Sequence, residues 1–143
     1  MTKSVLIVED LPELGKALLR NLFEAANEAE IPVAVDLVTN KEDALRLSGE
    51  KIYDLVSVDG RFPLVPDGDA FDYAGLVLVF HLRKMSRPPG SIIFYSADVS
   101  LLHTASLIPK NYLPVHVLSK VADDGTAWID TCIKVLSGHP VTA

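Results

Sequence analysis

Glu9 and Asp10 stand side by side at the end of the apolar run VLIV (5–8), and a third carboxylate, Asp59, closes the run DLVSV (54–58). Two more polar groups end apolar runs in the same way. Ser96 terminates SIIFYS (91–96), and Lys120 follows VHVLS (115–119). If these runs are parallel strands, their carboxyl ends share one edge, which is where ligands gather in open α/β sheets. With the first and third strands adjacent, three negative charges converge within a few ångströms. Two like charges ~4 Å apart repel by roughly 1 kcal/mol in water and roughly 4 kcal/mol at an effective dielectric near 20. Against a domain stability of about 5–15 kcal/mol, that repulsion calls for compensation. A divalent cation is the simplest one, since magnesium takes one or two carboxylates, keeps several waters and leaves room for a phosphate oxygen. Adding a hydroxyl and an ammonium completes a set for phosphoryl transfer: a nucleophile, a metal site, and donors for developing oxygen charge. Each residue also has a plainer reading. Glu9 and Asp10 suit the amino terminus of a helix starting near Pro12, Ser96 suits a hydroxyl bonded to backbone, and Lys120 suits a solvated cation.

The elements that must position these groups are legible as alternation. The apolar runs at 5–8, 33–38, 54–58, 91–96 and 115–119 are mostly β-branched and nearly continuous, as strands buried on both faces are. Between them lie helical patterns. In PELGKALLRNLFEAANEAE, Leu14, Leu18, Leu22 and Ala25 share a stripe. Thr39 and Glu42 suggest a capping box for NKEDALRLSGEK. Ile129, Cys132, Ile133 and Leu136 share a face, with Gly138 and Pro140 to stop the last helix. Five strand–helix alternations predict an α/β domain with a parallel sheet covered on both faces. The segment RFPLVPDGDAFDYAG (61–75) reads as a long loop, and GLVLVFHLRK after it as a helix that is apolar almost all round.

Composition narrows the class. With 143 residues and 49% apolar content the chain suits one folded domain, 1–143, that needs no disulfide. The single Cys132 fits a reducing compartment, and no leader or membrane-length apolar run is present, so a cytoplasmic protein without membrane insertion is expected. A formal charge of −6 argues against direct nucleic-acid binding.

VLIVED, DLVSVD, GLVLVFHLR, IIFYSA and VLSK together resemble the receiver domain of bacterial response regulators, over nearly the whole chain. The resemblance implies a flavodoxin-like, doubly wound five-stranded parallel sheet of order 2-1-3-4-5 with helices on both faces. It implies Asp59 as the phosphoacceptor, served by a sensor histidine kinase or phosphotransfer protein. It implies Mg2+ held by Glu9, Asp10, Asp59 and the backbone carbonyl of Arg61, with Ser96 and Lys120 on phosphoryl oxygens. Such a domain is a signalling switch rather than an enzyme, and it controls a downstream protein that the sequence does not identify.

Three departures from the family are visible. The loop at about 60–74 is longer than usual. Its Asp67, Asp69 and Asp72 hint at calcium spacing, but the rest of an EF-hand loop is missing, and a solvated surface loop is the favoured reading. The apolar helix after it suggests a partner surface or a homodimer. Lys120 is followed by Val121 rather than proline, so a trans bond is expected there. Val117 stands where an aromatic switch residue is typical, with His116 pointing to the opposite face. Cys132, Trp128, Phe80 and Tyr95 read as packing residues. Two alternatives accompany the switch: a pseudo-receiver that only binds protein, and a small phosphatase of the haloacid dehalogenase kind, which the acids Asp123 and Asp124 resemble. That family wants a second aspartate two beyond its nucleophile, where this chain has Arg61. Little chain remains after the fifth helix, so the sequence reads as a stand-alone regulator or as a receiver from a longer protein.

Overall fold

Strict alternation along continuously apolar strands requires cover on both sides of a sheet, and the chain provides it. The computed structural model describes residues 1–109, 113–121 and 125–139; Asp123, Asp124 and Pro140 lie outside them. In chain order the strands are β1 (Lys3–Val8), β2 (Val33–Val38), β3 (Leu55–Asp59), β4 (Phe62–Pro63), β5 (Ala70–Phe71), β6 (Ser91–Ser96) and β7 (Val115–Ser119). The helices are α1 (Pro12–Glu28), α2 (Lys41–Glu50), α3 (Ala74–Arg83), α4 (Val99–Ser106) and α5 (Thr126–Leu136). Five strands form one parallel sheet of order β2-β1-β3-β6-β7, and β4 and β5 pair separately. This is the expected flavodoxin-like order, with the first and third long strands adjacent.

Side chains of one strand parity, including Leu6, Val56, Val58, Ile92, Phe94 and Val115, pack with residues of α2, α3 and α4. The other parity, including Val5, Ile7, Leu55, Ile93 and Tyr95, packs with α1 and α5 through Leu18, Leu22, Trp128, Cys132 and Leu136. Cys132 and Trp128 are fully buried, as expected, whereas Phe80 is 44% exposed.

Three local expectations need correction. The α1 stripe runs Gly15, Leu18, Leu22 and Ala26; Leu14 and Ala25 are only half-buried, because at ~100° per residue they sit together at one margin of the buried arc. The cap of α2 lies one residue on: the Asn40 side chain accepts from Asp43 N at 2.8 Å and donates to Asp43 Oδ2 at 2.9 Å. The backbone N–H of Glu42 is instead taken by Leu64 O at 3.0 Å. Finally, the long loop contains an antiparallel hairpin, with Phe62 opposite Phe71 and Pro63 opposite Ala70. Phe62 is wholly buried and anchors the excursion to the core. Strands of two residues are too short to leave a period in the sequence.

Candidate functional site at the sheet edge

Parallel pairing carries four site residues to one edge. Asp59 ends β3 opposite Tyr95, and Ser96 ends β6 opposite Ser119. Glu9 and Lys120 each follow their strand by one residue, with Glu9 N bonded to Val38 O at 3.0 Å and Lys120 N to Ser96 O at 2.9 Å. Glu9, Asp10 and Asp59 each offer a carboxylate oxygen within 4.8 Å of the others. Among the described residues this is the one group of three or more acids, histidines or cysteines so arranged. Asp67, Asp69 and Asp72 do not converge.

Lys120 is the cation of the cluster. Its Nζ lies 2.7 Å from Glu9 Oε1 and 2.8 Å from Asp59 Oδ1. The Asp59 Oδ1 atom also accepts from Gly60 N at 2.8 Å. Glu9, 2% exposed, receives a further bond from Leu11 N at 3.3 Å. Burial, and after it the charge of Asp59, push the Glu9 carboxyl up to about 7, against the pull of Lys120. Asp10 is raised for the same two reasons. For Lys120, burial alone favours the neutral amine, but the charges and hydrogen bonds of Asp59 and Glu9 outweigh it and raise the ammonium above its ordinary range. Three crowded carboxylates held by one ammonium leave a net negative charge. That donor set fits a magnesium ion, with hard oxygen ligands and access from solvent.

Access comes from an open cavity of about 320 Å³ lined by residues including Asp10, Asp59, Arg61, Asp72, Ser96 and Lys120. Ser96 is buried, and its Oγ accepts from Asp98 N at 3.0 Å. That bond uses a lone pair and not the hydroxyl proton. Arg61 turns its side chain to the hairpin, where Nε meets Asp72 Oδ1 at 2.7 Å.

The departures from the family pattern sit here too. All peptide bonds among the described residues are trans, Lys120–Val121 included, and Lys120 still reaches both acids. Val117 is half-buried against the α2–α4 core. The aromatic next to the site is Tyr95, on β6, with Lys120 Nζ 5.6 Å from its ring.

Sequence reasoning missed two glycines that shape the site. A Cβ on Gly75 would lie 2.1 Å from the Asp59 carbonyl oxygen, and Gly75 N bonds Gly60 O at 3.0 Å. The start of α3 therefore presses directly on the Asp59–Gly60 backbone, returning the chain after the hairpin. A Cβ on Gly60 would lie 2.6 Å from Ser96 Oγ. The only hint in the sequence is a glycine at each end of the insertion.

No protein-family model matches this sequence, and no curated protein matches it. Solved structures do resemble the chain. A sensor protein from Polaromonas sp. JS666 is 23% identical, with 95% of this chain and 97% of that one covered at a TM-score of 0.69. The response regulator TrrA from Thermotoga maritima, in complex with Mg(2+)-BeF, is 23% identical, covering 93% and 98% at 0.66. The non-phosphorylated HemR receiver domain from Leptospira biflexa is 20% identical, covering 99% of each chain at 0.67. The fold is thus that of response regulator receiver domains.

Proposed function

We propose that the chain is a single receiver domain whose Asp59 accepts a phosphoryl group and whose conformation then controls a partner protein. The observation that carries this reading is Lys120 Nζ bridging Glu9 and Asp59 at 2.7 and 2.8 Å, with all three acids within 4.8 Å. Glu9, Asp10, Asp59 and the carbonyl of Arg61 would hold Mg2+, which when bound supplies charge neutralisation for the phosphoryl oxygens. Support for that ion comes also from the magnesium complex of the Thermotoga protein.

The chain's own groups divide the remaining work. Lys120 and the Gly60 N–H both bond Asp59 Oδ1, so they orient the carboxylate and assign the attack to Oδ2. In the transfer, Oδ2 forms a bond to phosphorus as the bond from phosphorus to the donor's imidazole nitrogen breaks. The electron pair of that bond leaves with the imidazole. Ser96 donates its hydroxyl proton, and Lys120 an ammonium N–H, to phosphoryl oxygens. The phosphate source is a sensor histidine kinase or a phosphotransfer protein, and a cytoplasmic setting agrees with the buried, unpaired Cys132. No helix among the described residues is long and apolar enough to cross a membrane.

The test is intact-mass spectrometry after incubation with acetyl phosphate, with and without Mg2+, on wild type and Asp59→Asn. A magnesium-dependent phosphate adduct, absent in the variant, is expected. Absence of the adduct, together with failure to bind beryllofluoride, would replace the proposal with the protein-binding pseudo-receiver.

A further inference from the structure

The segment that follows Asp59 concentrates apolar surface. Among the described residues twelve large apolar side chains are exposed, and five of them, Leu64, Val65, Phe71, Tyr73 and Phe80, fall within residues 64–80. Helix α3 accounts for part of this. Its buried residues, Ala74, Gly75, Leu76, Leu78, Val79 and Leu82, occupy the arc turned toward the core. At ~100° per residue, Tyr73, Val77, Phe80 and Lys84 lie in one line on the opposite side. Phe71 extends that line at its amino end, its ring meeting Tyr73 edge-on at 5.9 Å. Scattered exposed apolar residues need no explanation, but a continuous line along a helix does.

Charge gives the line two different ends. Asp69 is exposed and stands just before β5, two residues ahead of Phe71, which puts a carboxylate at the amino end of the line. Lys84 and Arg87, both exposed, lie at the other end, just beyond the helix. An acidic end, an apolar middle and a basic end over one helix length form a surface complementary to itself when turned end for end.

We propose that this face pairs with a second copy of the chain, α3 against α3 in antiparallel fashion, about a two-fold axis near Val77 and Phe80. Phe71, Tyr73 and Phe80 of each copy cover one another, and Asp69 of each faces Lys84 and Arg87 of the other. The pairing uses neither Asp59 nor bound metal, so its test stands apart from that of phosphorylation.

Sedimentation equilibrium of the full chain in EDTA, from low to high micromolar and without phosphodonor, is the experiment. A concentration-dependent dimer is expected, weakened about tenfold or more by Phe80→Asp, a change at the centre of the interface. Lys84→Glu should weaken it as well, and adding Asp69→Lys should restore it. All three residues are exposed, and urea unfolding would verify that the variants fold. A monomer at every concentration, a dimer indifferent to Phe80→Asp, or a double reversal no better than the single one would each overturn the proposal.

Discussion

Replacing Lys120 by methionine should destabilise the metal-free protein in a way that depends on pH, and the dependence can be worked from the site. Glu9 has an ordinary value of 4.5 and is raised to about 7 in the folded protein by burial and by Asp59. The folded state therefore holds this proton more tightly than the unfolded chain. Its stabilising contribution is complete below 4.5 and is lost as pH rises through 7, a loss of about 3 kcal/mol. In wild type the ammonium 2.7 Å away limits that loss. The bare Coulomb attraction at this distance is about 6 kcal/mol at an effective dielectric near 20, before the desolvation of both groups offsets part of it. Without it the Glu9 carboxyl is raised further and stays protonated where the wild-type group has ionised. Above pH 7 the folded variant carries one more proton than folded wild type, so its deficit grows by about 1.4 kcal/mol per pH unit. Lys120 is itself raised above 10.5 and does not titrate in this window. Urea unfolding of both proteins in EDTA at pH 6, 7, 8 and 9 would measure the gap. A gap that widens by 2–3 kcal/mol (about 1.4 kcal/mol per unit) between pH 7 and 9 is expected. A gap constant across that range would refute the reasoning, because Glu9 and Lys120 would then not be coupled in solution.

Gly75→Ala places a methyl 2.1 Å from the Asp59 carbonyl oxygen, so a loss of about 3 kcal/mol in thermal or urea unfolding is expected, with impaired phosphorylation of Asp59; an unchanged melting temperature would contradict the close approach. Tyr53 donates to Asp36 at 2.6 Å, and this bond, together with Lys51, holds the Asp36 carboxyl below its usual range. Its contribution is present above 3.8 and lost as pH falls through the lower folded value. Tyr53→Phe should therefore lose about 1 kcal/mol at pH 7, kept small by the exposure of Asp36, with the difference narrowing in strong acid. Because Asp72 holds Arg61 at the rim of the cavity, Asp72→Asn should free the guanidinium for a phosphoryl oxygen and lengthen the phosphate lifetime about fivefold, a surface ion pair's worth of free energy. In an Arg61→Gln background the same change should do nothing, and an equal effect there would rule the pair out.

The sheet and the positions of its charged ends were legible because both are periodic facts. Runs such as VLIV and IIFY need cover on both faces, and parallel pairing then sends Glu9, Asp59, Ser96 and Lys120 to one edge whatever the loops do. The hairpin was not legible, since two-residue strands have no period and Phe62 reveals its anchoring role only by its burial. Nor was the role of Gly75, which depends on a backbone contact between residues sixteen apart. The cap of α2 moved from Thr39 to Asn40 because a distant carbonyl, Leu64 O, claims the Glu42 N–H. The Gly75 contact and the α2 cap both rest on tertiary contacts that no local pattern reports.

Lys120 also links the site to the interior, and this bears on how a switch could work without an aromatic residue at position 117. Its Nζ stands 5.6 Å from the Tyr95 ring, which lies 6.2 Å from Trp128 at a 30° tilt. Trp128 Nε1 donates to Ser57 Oγ at 2.9 Å, two residues before Asp59 on β3. Site cation, aromatic pair and β3 therefore form a continuous series on the α1/α5 face of the sheet. A phosphoryl group on Asp59 brings three acceptor oxygens and added negative charge to compete for Lys120. Any displacement of the ammonium changes its approach to Tyr95, and Trp128 is buried too tightly to ignore a shift of that ring. Val117, by contrast, packs against the α2–α4 core and offers no polar group to carry a signal. A phosphorylated site would thus be felt on both faces of the sheet: toward α5 through Lys120 and Tyr95, and at the start of α4 through Ser96, whose Oγ accepts from Asp98 N at 3.0 Å.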